Sequence, residues 1–259
     1  MSTTVKQVYD FLDSIAPFDT QEDWDNSGFL VGDAQKEVKK VAVCLDVTHD
    51  TLEQAEAFGA DLLVSHHPVI FHPVKGLREQ APGTESIVYA AVKKDIAVLS
   101  AHTCWDMAEG GVNDVLATLL GLEDIEGILP DENGNAMLRK GTLKTAVPAE
   151  EYAEVVAETL GTVVRLTQPE KMIQTVAVCG GSGASFLPAL VGTGVDAFVT
   201  GDAKHNDFLD AIDDDIVLLA AGHYETETVS MPVLLELLKQ EFPEVEYTYL
   251  DSSPVVYIG

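Results

Sequence analysis

Positive charge is what this chain has least of. Only 15 Lys and Arg stand against 43 Asp and Glu, which leaves a net charge of −28 over 259 residues. No basic stripe is available to neutralise phosphates along a duplex, so a nucleic-acid partner is not expected. Hydrophobic residues make up 46% of the chain, too many for an acidic disordered segment. Self-repulsion on that scale opposes the compact state unless salt screens it. At ~1 M salt the Debye length is roughly 3 Å, so a halophilic source is the expectation.

Cysteine is scarce too. Cys44, Cys104 and Cys179 are odd in number, far apart and without a CxxC pair. That excludes a disulfide framework and a structural zinc knuckle, and reads as three reduced thiols. Long uncharged runs are missing but for Met172 to Val195, and there Gly180, Gly181, Gly183, Pro188, Gly192 and Gly194 argue against a membrane helix. Strand, glycine loop and buried helix is the reading instead. Nor does the N-terminus show the basic and then apolar layout of a signal peptide, so the expected location is cytoplasmic.

What the chain does have is an alternation of apolar runs and helical patterns. Val5, Val8, Leu12 and Ile15 sit at helical spacing and Pro17 ends the pattern. Val41 to Asp46 reads as a strand, Thr48 to Phe58 as a helix, and Asp61 to Ser65 as a parallel strand buried on both faces. Ser86 to Lys94 and Ile96 to Ser100 repeat the unit. Residues 122–135 are acidic and turn-rich, and a domain boundary is expected there. The second half alternates again: strands at Met137 to Val147, Val163 to Leu166, Thr175 to Cys179, Ala197 to Thr200 and Ile216 to Ala220, with helices between them. Short strands at Val245 to Leu250 and Val255 to Ile258 close the chain. The expected domains are 1–125, completed by about 222–259, and 126–221.

Open α/β sheets bind ligands beyond the C-terminal ends of their strands. Three such ends carry metal-binding chemistry: His66 and His67, then His102 and Asp106, then His223 with Glu225 or Glu227. Pro68 forces an extended turn after the histidine pair, so both rings can turn toward one cleft. Four residues separate His223 from Glu227, which puts both on one face of a helix's first turn. Imidazole with carboxylate suits Zn, Mn, Fe, Co or Ni. Five ligands are too many for one tetrahedral zinc with an open position and fit two ions with a bridging carboxylate. Such a pair lowers the pKa of a bound water to ~7 and serves hydrolysis. His102, not needed as a ligand, is placed to move protons or orient Asp106. Elsewhere the expectations are blander. Glu22 to Gly28 reads as a solvated turn with Trp24 as a packing plug, Gly180 to Gly183 as a tight turn, and Cys104 as a small buried hydrophobe.

Taken in order, these blocks resemble the dinuclear-metal-centre hexamer family, the Nif-three-like proteins often described as GTP cyclohydrolase I type 2 homologues. Glu22 to Gly32 is similar to its "E-x-W-D-N-x-G-L-x-V-G" opening, Ser65 to Phe71 to its "S-H-H-P-x-I-F", and Ala101 to Asp106 to its "A-H-T-N-x-D". Gly110 to Asp114, Cys179 to Gly183, Thr200 to Asp202 and Gly222 to Glu227 also resemble family blocks. The resemblance implies two three-layer α/β domains with a dinuclear metal site in the cleft between them. Its implied ligands are His66, His67, Asp106, His223 and Glu227, with Glu227 as the bridge. It further implies toroidal homohexamers and a small-molecule substrate, with GTP opened hydrolytically at its imidazole ring. Cys104 stands where the family usually has asparagine, and His205-Asn206 where it often has an aromatic and then histidine. The long insertion of some members is absent. A metal-binding scaffold and a dimetal phosphoesterase are the alternatives to a hydrolase of this kind.

Overall fold

The computed structural model describes residues 2–251 and 253–256. Two compact units divide the chain, Met1–Glu109 with Met231–Pro254 and a second built on Gly110–Ser230. Each is a mixed α/β layer structure around its own sheet.

In the first unit, α1 (Val5–Ile15) opens with a capping box: Thr4 accepts from the Gln7 N–H while Gln7 accepts from the Thr4 N–H. Strand β1 (Gly28–Val31) follows, then β2 (Lys40–Cys44), α2 (His49–Phe58) and β3 (Leu62–Ser65). Helix α3 (Thr84–Lys93) leads to β4 (Ala97–Ser100) and the short α4 (Thr103–Met107). The sheet runs β1-β4-β3-β2 and then the strand Glu246–Leu250, with only β1 antiparallel to its neighbour. Ala42, Cys44, Leu63 and Val98 pack on Leu52 and Ala55 of α2 and Val88 and Ala91 of α3. Val41, Val43, Leu62, Val64 and Leu99, alternating with them, are fully buried on the other face. Burial on both faces is why these strands read as unbroken apolar runs.

The second unit begins with α5 (Val112–Leu119) and β5 (Glu123–Ile128), which pairs antiparallel with β6 (Leu138–Pro148). After α6 (Ala149–Leu160) come β7 (Arg165–Leu166), β8 (Met172–Cys179), α7 (Leu187–Leu190), β9 (Ala197–Thr200), α8 (His205–Asp213), β10 (Val217–Ala220) and α9 (His223–Thr228). The sheet order is β5-β6-β8-β9-β10-β7, with β8, β9 and β10 parallel. Val176, Val178, Val199 and Leu219 face α5 and α6, while Ala177, Phe198 and Leu218 face α7 and α8. The chain then returns to the first unit through α10 (Met231–Glu241) and β11 (Glu246–Leu250).

Several expectations need correction. Residues 123–128 form an edge strand and not a turn-rich linker; their alternation is hidden because acidic side chains cover the solvent side of the edge. The break between units falls at Glu109/Gly110 and not at 125/126, since Leu116, Ala117 and Leu120 belong to the second unit's core. The return falls at Met231, which leaves His223–Thr228 with the second unit. Of the expected strand at 255–258, Val255 and Val256 have no regular structure, and Tyr257 and Ile258 lie outside the described residues. Met172 to Val195, by contrast, is strand, loop and short helix as expected, and among the described residues no helix is long and apolar enough to cross a membrane.

Candidate metal centre

Register aligns the ends of the parallel strands in each unit. In the first, Cys44, Ser65 and Ser100 are partners across β2, β3 and β4. The chain leaves β2 at Leu45-Asp46, β3 at His66-His67 and β4 at Ala101-His102, so these residues emerge side by side. Ser65 and Ser100 hydroxyls, 2.8 Å apart, tie the two strand ends together, and the Ser65 hydroxyl also donates to the His67 carbonyl. One ring nitrogen from each of His66, His67 and His102 lies within 4.8 Å of the others.

Each imidazole is held by its Nδ1. His66 Nδ1 donates to the Ala101 carbonyl at 2.9 Å, His67 Nδ1 to Asp46 at 2.8 Å and His102 Nδ1 to Asp25 at 2.8 Å. A carbonyl or carboxylate can only accept, so the proton sits on Nδ1 and the Nε2 lone pair is the ligating or basic one. Helix α4 supplies Asp106, whose Oδ1 is 3.6 Å from His66 Nε2; both residues are buried. Cys104, on the same short helix, is fully buried, and burial pushes its thiol up to about 12. It is a small buried packing group, as expected.

Asp25 overturns the reading of its loop. Its side chain is wholly buried. Oδ1 accepts from His102 Nδ1 and the Asn26 N–H (2.7 Å); Oδ2 accepts from the Thr103 N–H (3.0 Å), the Thr103 hydroxyl (2.6 Å) and the Ser27 hydroxyl (3.0 Å). Burial alone raises the carboxyl, but the hydrogen bonds it accepts from His102, Thr103 and Asn26 hold it well below the usual carboxylate range. Trp24 in the same loop is 56% exposed, so it is not a packing plug.

In the second unit Cys179, Thr200 and Ala220 are register partners across β8, β9 and β10. Beyond them lie Gly180-Gly181, Gly201-Asp202 and Ala221-Gly222-His223. His223 Nδ1 donates to Asp202 at 2.8 Å, which again leaves Nε2, and that nitrogen is 3.1 Å from Glu227 Oε2. The helical i, i+4 spacing thus pairs His223 with Glu227. Glu227 is buried, 4% exposed, under the glycine loop. A Cβ on Gly181, whose φ is +59°, would stand 2.0 Å from Glu227 Oε1 and 3.3 Å from His223 Nε2. Only glycine leaves that carboxylate its place, so the loop is a cradle and more than a tight turn. The Gly181 N–H donates to the Thr226 hydroxyl at 3.0 Å, which anchors the loop to α9.

A family model described as Duf34/NIF3 (NGG1p interacting factor 3) matches residues 3–254. The chain belongs to the Duf34/NIF3 family. Among its relatives, a "GTP cyclohydrolase 1 type 2 homolog" of Nostoc is 37% identical over 78% of each chain. A Streptomyces coelicolor protein of the same name is 35% identical over 86% of this chain and 81% of its own. The crystal structure of the Staphylococcus aureus hypothetical protein SA1388 superimposes with a TM-score of 0.92 at 27% identity, covering both chains in full.

In this Duf34/NIF3 chain the donor set of imidazole nitrogen and carboxylate oxygen fits a divalent first-row metal. Three carboxylates that orient histidines were missed in the sequence: Asp25, Asp46 and Asp202. Asp46 and Asp202 carry a usable signal, since each follows an apolar strand by two residues, as His67 and His102 do. For Asp25 the only hint is its place in the "W-D-N" block.

Proposed function

We propose that the chain is a metal-dependent hydrolase with a dinuclear centre. His66, His67, Asp106, His223 and Glu227 would hold two divalent ions, with Glu227 as the shared ligand. The observation that carries this reading is that every histidine in the set has its Nδ1 engaged by an acceptor, so each presents Nε2 as a lone pair. When bound, the ions supply Lewis acidity and lower the pKa of water. The chain's own groups do the rest. Asp46 and Asp202 keep His67 and His223 in the ligating tautomer. Asp25 fixes His102 with Nε2 as the basic nitrogen, able to take a proton from the attacking water and return it to the leaving group. The buried Asp25 carboxylate also stabilises the imidazolium that forms when His102 takes that proton.

The names of the two bacterial relatives support GTP as substrate, by hydrolytic opening of the guanine imidazole ring. The test is a GTP turnover assay on metal-loaded protein at high salt, beside a known cyclohydrolase. Product formation that is lost in His102→Ala supports the assignment; no turnover under those conditions removes GTP. Homohexameric assembly belongs to the same proposal, and light scattering should then give roughly six times the 27.8 kDa chain mass.

A further inference from the structure

Two tryptophans have opposite fates in the first unit. Trp105 is 1% exposed, as a large apolar ring is expected to be, whereas Trp24 is 56% exposed beside the histidine cluster. It is not alone. Its ring centroid is 5.7 Å from Phe71, itself 39% exposed, and 5.8 Å from His102; Phe71 lies 6.2 Å from His102 and 4.9 Å from His72. The rings come from remote segments: the loop before β1, the turn after the histidine pair, and the end of β4.

The backbone beneath them is fixed. Asp25, next to Trp24, is buried under its hydrogen bonds to Asn26, Ser27, His102 and Thr103. Asn26 Nδ2 donates at 2.6 Å to the carbonyl of Ile70, which ties the tryptophan loop to the residue before Phe71. An exposed aromatic pair on a rigid base costs little ordering entropy when it binds. Trp24 and Phe71 already touch, within the ~4.5–7 Å of aromatic contact, so no third ring fits between them. Their solvent faces are what they offer.

We propose that Trp24 and Phe71 form a stacking platform, beside His102, for a planar heteroaromatic ring carried by the substrate. This rests on the hydrolase reading of the same site and names the class of molecule it acts on. Base-like rings suit such a platform because every one has a π-face. An uncharged ring is also the part of a substrate that this acidic chain does not repel.

The test is binding by equilibrium dialysis to the full chain, freed of metal with chelator and at high salt. Guanosine serves as a heterocycle without phosphate, and ribose 5-phosphate as a phosphate without heterocycle. Guanosine is expected to bind wild type and to quench the fluorescence of the exposed tryptophan, and ribose 5-phosphate to do neither. Trp24→Ala should weaken guanosine on the order of tenfold, and Trp24→Phe by about threefold or less. Phe71→Ala is the independent second variant, and circular dichroism checks the fold of all three. No guanosine binding by wild type, or wild-type affinity in both alanine variants, overturns the platform. The hydrolase reading fails separately: guanosine binding that depends on Trp24, without turnover of any heterocyclic substrate by metal-loaded protein, leaves the platform standing and removes the reaction. Turnover whose KM ignores both alanine substitutions does the reverse.

Discussion

Replacing Asp25 with asparagine changes one atom of a side chain that receives hydrogen bonds from Asn26, Ser27, His102 and Thr103. If the new NH₂ takes the place of Oδ2, it meets the fixed N–H of Thr103. If it takes the place of Oδ1, it meets the N–H of Asn26 and Nδ1 of His102. Either way one buried backbone donor loses its acceptor, at a cost of about 1–3 kcal/mol, and the remaining bonds lose their charge assistance. Around 2–4 kcal/mol for the first unit follows, or a fall in Tm of roughly 6–12 °C. Calorimetry at several pH values checks the sign as well as the size. The folded-state carboxyl titrates below its unfolded value, so its contribution is complete above the ordinary aspartate pKa of about 3.9 and is lost as pH falls from there. Asparagine does not titrate. The gap between wild type and variant should therefore hold from neutral pH to about pH 5 and narrow below about pH 4. Turnover should fall on the order of 10²-fold or more, because His102 is freed to carry its proton on Nε2. A Tm within about 2 °C of wild type at neutral pH, with a gap that ignores pH, would refute the argument and return Asp25 to the role of a solvated turn acid.

Gly181→Ala should displace Glu227, since its Cβ would stand 2.0 Å from Oε1; the left-handed backbone adds about 1–2 kcal/mol of strain. Elemental analysis should find metal content reduced, and an unchanged content would contradict the cradle. Asp46→Ala releases His67 Nδ1 and should weaken binding of Zn or Mn about 10- to 100-fold in calorimetric titration, with no change expected only if the pair is incidental. With a net charge of −28, the urea midpoint should rise as KCl goes from ~0.01 M to ~1 M and the Debye length shrinks from roughly 30 Å to 3 Å. A midpoint independent of KCl would mean that the charges are too dispersed to matter.

The strand ends were readable in the sequence because burial on both faces leaves a plain signal, an apolar run cut off by a polar pair. His66-His67 after Leu62–Ser65 and His102 after Ala97–Ser100 are such cases. The spacing of His223 and Glu227 was readable because a helix converts i, i+4 into contact without help from the rest of the chain. What was not readable depends on partners distant in sequence. Asp25 and His102 are 77 residues apart, and His223 and Asp202 are 21 apart across a strand connection. Nothing local distinguishes Asp25 from Asp23, one of them buried and the other on the surface of the same loop. Trp24 misled for a related reason. Residue type alone predicts burial for a large aromatic ring, and an exposed one is visible only when the fold shows what lies beneath. The edge strand Glu123–Ile128 was masked by its charges, which are there to blunt the edge.

The pair of ions proposed for this donor set can be counted. Elemental mass spectrometry on protein purified without added metal, for wild type and for Glu227→Ala, is the most direct test. About two divalent ions per chain in wild type, falling to one or none in the variant, is the predicted result for a shared carboxylate. Wild type that is folded, metal-free and unresponsive to added Zn, Mn or Fe would contradict it.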